Sequence, residues 1–269
     1  MNKKFRDYTI DDNVKALYKK LRTNQTLDYV HYAHKKYCNF SKNIKIWDAL
    51  NALTEYIDVS DPDINLPNIH HLFQTAEAIR KDGHPDWFQL VGLIHDLGKI
   101  LYLKGNDNDG TTIKEQWGIV GDTFIVGCKI PDSVVYPEFN HLNKDTLNSL
   151  YNSKLGIYKE GCGLDNCMCS FGHDEYLYRV LKFNKYRKMV KLPDIALLII
   201  RYHSLYPWHK EGEYKYFMNK KDEESLKWVK IFNKYDLYTK KDEEINIEEL
   251  KKYYDKLISK YFPSKYLVW

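Results

Sequence analysis

Apolar residues return every three or four positions along most of this chain, and that spacing leaves room for little besides helices. The clearest run is Ile69, Leu72, Phe73, Ala76 and Ile79, a single stripe down one side of a helix. Read in the same way, the sequence predicts helices over about 11–37, 43–57, 68–82, 86–97, 143–151, 173–187, 193–206, 222–238 and 247–261. Pro85 and Pro193 stand where a first-turn proline is tolerated, and Gly98 follows an apolar run where a left-handed cap is expected. Pro207 is expected to end the helix that Pro193 opens. Between about 99 and 141, glycines and prolines alternate with β-prone residues, which predicts loops and a short strand pair. A second loop runs from Gly156 to Gly172. With no repeat, low-complexity tract or linker to divide it, the chain reads as one domain over 1–269, an all-α bundle with a few short strands or hairpins in its loops.

Composition narrows the class of protein. Hydrophobic residues make up 43% of the chain, enough for a real core, and 23 tyrosines fill space while keeping a polar tip. Lys and Arg number 41 against 37 Asp and Glu, so the net charge of +4 gives no footprint for nucleic acid. The densest basic stretch, Lys182 to Lys191, reads as a solvated helix face. No apolar run reaches the ~20 residues that span a bilayer, and Met1 to Asp7 has no apolar signal core, so the expectation is a cytoplasmic protein. Five cysteines, three of them at Cys162, Cys167 and Cys169, lack the spacing of paired zinc knuckles and read as reduced thiols.

Histidines and aspartates carry the chemistry. His95-Asp96 lies in the last turn of the apolar run Leu90 to Ile94. Adjacent helical residues diverge by ~100°, but a carboxylate has two oxygens and can serve two ions while its neighbour serves one. Upstream, His70 and His71 both lie off the apolar stripe, so periodicity does not choose between them. His173 opens a helix after Gly172, and His203 lies four residues after Ile199 on a strongly apolar helix. Asp236 lies four after Phe232 and seven after Val229, where a carboxylate costs several kcal/mol unless a cation or donor meets it. Singly, each of these reads better as a hydrogen-bonded core histidine or a capped acid; together, on helices that must pack, they point to metal. A histidine, a distant His-Asp and a later lone Asp resemble the HD-domain superfamily.

The resemblance becomes specific along His71-Leu72-Phe73-Gln74-Thr75-Ala76-Glu77, Leu90-Val91-Gly92-Leu93-Ile94-His95-Asp96-Leu97-Gly98-Lys99, Val120-Gly121-Asp122-Thr123-Phe124, Gly161-Cys162-Gly163-Leu164-Asp165-Asn166, Gly172-His173-Asp174-Glu175-Tyr176, Tyr202-His203-Ser204-Leu205-Tyr206-Pro207-Trp208-His209 and Phe232-Asn233-Lys234-Tyr235-Asp236-Leu237-Tyr238-Thr239-Lys240. In that order, across roughly residues 5 to 269, the chain resembles the myo-inositol oxygenase family. The resemblance implies an HD-type helical bundle with one iron on His71, His95, Asp96 and Asp236. It implies a second iron on His173, His203 and the other oxygen of Asp96, with more open positions for substrate and O2. It further implies a mixed-valent Fe(II)/Fe(III) pair that uses O2 to cleave the C1–C6 bond of myo-inositol, giving D-glucuronate. Asp96, Lys99, His173 and His203 would carry the reaction, with Lys99 donating to a substrate oxygen. Arg6, Asp58, Ser60, Lys99, Gly121, Asp122, Ser204 and Lys240 would bind substrate, and the N-terminal segment with the glycine-rich loops near 105–127 would form a lid. Val59 departs from the family, which usually has an acid there, and this puts the binding role of its loop in question.

The expected partner is a small molecule, with neither nucleic acid nor membrane, and the expected state is a monomer. Two rival readings share part of the pattern. An HD-type phosphohydrolase would use His71, His95, Asp96 and Asp236 to activate water, but the arginine cluster that suits phosphate is absent from the neighbourhood of these motifs. A non-catalytic binding module would have no need of all six ligand positions.

Overall fold

The computed structural model describes residues 11–63, 65–238 and 243–269. Ten α-helices carry the described chain: α1 (Asp12–Asn24), α2 (Leu27–Tyr37), α3 (Ile46–Ala52), α4 (Asn68–Lys81), α5 (Asp86–Ile94), α6 (His173–Tyr186), α7 (Asp194–Tyr202), α8 (Tyr206–His209), α9 (Lys220–Tyr238) and α10 (Ile247–Tyr261). The protein is an all-α bundle, and its only sheet among the described residues is a two-stranded ribbon. There β1 (Asn43–Lys45) runs antiparallel to β2 (Tyr266–Val268), with Ile44 opposite Leu267.

Several differences from the sequence reading have local causes. The helix expected over 11–37 breaks at Gln25, and Thr26 caps α2 by accepting from the Tyr29 N–H. The strand pair expected within 99–141 is absent. That region holds 3-10 turns, of which Leu97–Lys104 is the longest, and one isolated bridge between Ile125 and Cys169. The helix expected over 143–151 reduces to a 3-10 turn, Lys144–Leu147, whose start Asn143 caps. Pro207 does not end α7, which stops at Tyr202; it opens α8 in the first turn, where its missing N–H is harmless.

Helix α5 positions the centre of the molecule. Every residue from Phe88 to Ile94 is buried, so the helix is enclosed on all sides rather than amphipathic. Gly92 allows this: a Cβ there would sit 2.9 Å from the Ala76 Cα on α4, so the two backbones pack closer than any side chain permits. Helices α6 and α7 pack together, and α9 lies across α4, α5 and α7.

Below the centre, Glu175 on α6 is fully buried and accepts from Arg201 Nε at 2.7 Å and Arg179 Nε at 2.6 Å. His34 of α2 faces the same carboxylate at 3.5 Å. Burial, helped by Arg179, pulls the His34 pKa from 6.5 down to about 4. Between these values the unfolded chain binds a proton that the folded chain refuses. The contribution to stability is therefore intact above pH 6.5 and is lost as pH falls toward 4, in total about 3 kcal/mol. His34→Gln is expected to flatten the acid side of the melting-temperature profile in that window; equal slopes in both proteins would refute this.

Candidate metal centre

The four helices α4, α5, α7 and α9, with the start of α6, deliver His71, His95, His203, Asp236 and His173 to one buried spot. Asp96, directly after α5, stands in the middle, and all six residues are at most 5% exposed. His71 Nε2 lies 3.0 Å from Asp236 Oδ1, and His95 Nε2 lies 3.5 Å from the same oxygen. Asp96 faces both sides. Its Oδ2 is 3.6 Å from His95 Nε2, while its Oδ1 is 3.0 Å from His173 Nε2 and 3.6 Å from His203 Nε2. Two sets of ligand atoms lie close enough to share an ion, His71/His95/Asp236 and His95/Asp96/His203, so His95 stands between the two groups.

The orientation of the rings fits metal better than any alternative. His95, His173 and His203 turn Nδ1 to the backbone carbonyls of Gly92, Ile119 and Ile200 at 2.9, 2.7 and 2.7 Å. A carbonyl only accepts, so each Nδ1 carries a proton, and in a neutral ring the Nε2 is left to offer a lone pair. His173 Nε2 and His203 Nε2 then face each other at 3.0 Å as two acceptors, an arrangement that asks for a cation. His95 Nε2 is buried with no hydrogen-bond partner among the described residues, a costly state for a polar atom that a metal would relieve. The donor set, imidazole and carboxylate without thiolate, suits iron, manganese or zinc.

Lys99 closes one side. It is 3% exposed, and its ammonium donates at 2.7 Å to each of Asp58 Oδ2, Asn68 Oδ1 and Asp96 Oδ2. Burial alone would push its pKa down, but Asp58 and Asp96 outweigh it and hold the amine protonated well above the ordinary range. Burial likewise pushes the Asp96 carboxyl up, yet the Lys99 ammonium beside it holds it well below the usual carboxylate range. Asp58 is also lowered: Lys99 and the Ser60 hydroxyl, which donates to Oδ1 at 2.6 Å, overcome its burial. Lys99 is thus a fixed positive donor, and Asp58 and Asp96 are fixed acceptors.

A narrow cleft, partly open to solvent, lies over these groups. Of the residues expected to bind substrate, Asp58, Ser60, Lys99, Gly121 and Ser204 line it. Asp122 does not. Its carboxylate accepts from the buried Arg22 Nη2 at 3.1 Å and from the Val135 N–H at 2.9 Å, which turns it toward α1. Arg6 and Lys240 lie outside the described residues. Val59 is 41% exposed and does not line the cleft. His70 is settled as the bystander: its Nδ1 accepts from the Ile245 N–H at 3.2 Å, while His71 is the buried one.

Sequence reasoning passed over Asn68, Tyr18, Asp61, Leu66 and Tyr206, which also line the cleft. Asn68 was findable, since it lies three residues before His71 and so on the same side of α4. Its amide donates from Nδ2 to Asp96 Oδ2 at 3.1 Å and accepts at Oδ1 from Lys99, bridging a carboxylate and an ammonium. Tyr206 lies inside the Tyr202–His209 motif. Nothing separates Tyr18 from the other tyrosines of so aromatic a chain.

Gly98 has a different purpose from the left-handed cap expected of it. Its φ is not positive. A Cβ there would lie 1.9 Å from the carbonyl oxygen of His173, so glycine lets the turn after Asp96 touch the backbone of α6. Gly98→Ala is expected to cost about 1–3 kcal/mol by overpacking and to lower metal content by displacing His173. Melting temperature and metal per chain check this; an alanine variant with full metal would contradict it.

Among the described residues no helix is long and apolar enough to cross a membrane. A family model described as myo-inositol oxygenase matches residues 11–269. A probable inositol oxygenase of Oryza sativa subsp. japonica is 48% identical over 97% of this chain and 84% of its own length. Inositol oxygenases of Danio rerio and Dictyostelium discoideum are each 47% identical, over 96% and 97% of this chain and 90% and 88% of theirs. Identity at this level over nearly the whole of both chains, with the motifs gathered around one buried centre, has one meaning: the chain belongs to the myo-inositol oxygenase family.

Proposed function

We propose that this protein is an inositol oxygenase of the HD type, cleaving the C1–C6 bond of myo-inositol with O2 to give D-glucuronate at a pair of iron ions. One observation carries the reading: Asp96 faces His95 with one oxygen and His173 and His203 with the other, and the Nε2 atoms of His173 and His203 lie 3.0 Å apart beside it. His71, His95, Asp96 and Asp236 would hold one ion, and Asp96, His173 and His203 the other. A bound mixed-valent Fe(II)/Fe(III) pair would supply the O2 chemistry that the side chains lack.

The chain's own contribution is binding, orientation and exclusion of water. Lys99 meets a substrate hydroxyl as a donor, since it stays protonated, and favours the oxygen in its anionic form. Its three protons are all engaged, so binding a hydroxyl there requires one of the present acceptors to give way. Asn68, the neutral one, is the cheapest to release. The Asp58 carboxylate, Ser60 and Ser204 hydroxyls and the Gly121 backbone suit the mixed donors and acceptors of a polyol. Burial of the ligands keeps bulk water from the reacting carbons.

In this reading the enzyme works as a cytoplasmic monomer on a small molecule, and its balanced charge gives it no general attraction to nucleic acid. The test is D-glucuronate formation from myo-inositol by iron-loaded, partly reduced protein in air and under argon. Glucuronate formed only in air is the expected result. No product in air from protein holding two irons would overturn the proposal.

A further inference from the structure

A short loop away from the metal centre holds two thiols against each other. Cys162 Sγ lies 3.8 Å from Cys167 Sγ, and both thiols converge on the Gly163 carbonyl, at 3.6 and 3.8 Å. The loop is pinned. The 3-10 turn Leu164–Asn166 brings its ends together, and Asn166 Nδ2 donates back to the Cys162 carbonyl at 2.7 Å. Gly163 takes a φ of +86° and donates to the Phe217 carbonyl, and a Cβ there would run into Asn219. Cys162 is partly exposed and Cys167 buried. Among the described residues no third His, Cys, Asp or Glu completes a metal-binding group with them.

We propose that Cys162 and Cys167 form an oxidation site, at which a peroxide closes a disulfide within this loop. Cys162, the accessible sulfur, attacks one oxygen of hydrogen peroxide; the O–O bond breaks, one water leaves and a sulfenic acid stays on Cys162. The Cys167 sulfur then displaces that hydroxyl as a second water, and the S–S bond forms. Two thiols lose two electrons in all, and the two peroxide oxygens take them up. The sulfurs must close from 3.8 Å to about 2.0 Å. The pinned loop has already paired them, so side-chain rotation supplies most of the approach.

Geometry sets this pair apart from the other thiols: among the described residues, Cys162 and Cys167 are the two whose sulfurs hydrogen-bond each other, while Cys169, Cys38 and Cys128 make no such contact. The bridge also has a route to the fold's centre. The Cys167 carbonyl accepts from Arg201 Nη2 at 3.2 Å, and Arg201 holds Glu175, on the helices that carry His203 and His173.

The test uses the full chain treated with hydrogen peroxide, alkylated and mapped by mass spectrometry, with cleavage at Met168 separating Cys167 from Cys169. The expected result is a mass loss of about 2 Da, reversed by dithiothreitol, with the bridge assigned to Cys162 and Cys167. Cys167→Ser is expected to leave Cys162 as a sulfenic acid that dimedone traps, while Cys169→Ser keeps the bridge. If Cys167→Ser fails to fold, the Cys169→Ser result still decides. A bridge that uses Cys169, or wild-type Cys162 that passes to sulfinic acid without bridging, would overturn the proposal.

Discussion

Asp96→Ala is expected to empty the centre of both metals, whereas Asp236→Ala is expected to empty one. Asp96 is the one carboxylate that faces both groups of imidazoles, through Oδ2 to His95 and Oδ1 to His173 and His203. Asp236 faces His71 and His95. Removing residues that merely support a ligand typically costs 10–100-fold in metal affinity or activity, so loss of the shared carboxylate is expected to cost more than ~100-fold in glucuronate formation. Iron per chain is expected to fall from two to below one in Asp96→Ala and to about one in Asp236→Ala. Equal losses in the two variants would show that Asp96 is not shared.

Lys99→Met is the second large effect, and it separates stability from chemistry. The methionine keeps the stem and removes the charge, leaving the Asp58 and Asp96 carboxylates without their shared partner. Breaking a buried ion pair by deleting one partner costs about 3–5 kcal/mol. In metal-loaded protein part of this is offset, because cations beside Asp96 replace the lost ammonium. The melting temperature of Lys99→Met is therefore expected to fall further below wild type without metal than with it. Losing a preorganised donor is expected to lower kcat by ~10²–10³-fold in the metal-loaded variant. Lys99→Arg is not expected to rescue it, because a planar guanidinium cannot place three donors on Asp58, Asn68 and Asp96 at once. A Lys99→Met variant with wild-type kcat would leave the lysine a structural role only.

The helices were legible wherever an apolar stripe ran uninterrupted, as along Ile69 to Ile79, and their ends were legible where Pro85 or Pro193 marked them. What the sequence hid depended on contacts between distant segments. The ribbon of Asn43–Lys45 with Tyr266–Val268 joins pieces more than 200 residues apart, and neither is long enough to show a strand period. His70 and His71 look alike on a helical wheel; α9 and the 243–245 segment divide them, burying one and engaging the other. Gly98 reads as a helix stop, and only the carbonyl of His173 shows that it makes room. Asp122 reads as a binding residue in a glycine turn, and Arg22, a hundred positions earlier, claims its carboxylate. The buried acids were the most legible part of the site. Asp236 on the apolar side of a helix demands a partner, and that demand can be read from spacing alone.

The central claim is that six side chains hold two irons that share Asp96. Electron paramagnetic resonance of iron-loaded, half-oxidised protein tests it most directly. The expected spectrum is that of an exchange-coupled Fe(II)/Fe(III) pair with a half-integer ground spin, perturbed by myo-inositol and absent in Asp96→Ala. A spectrum of isolated ferric iron, unchanged by substrate, would contradict the account.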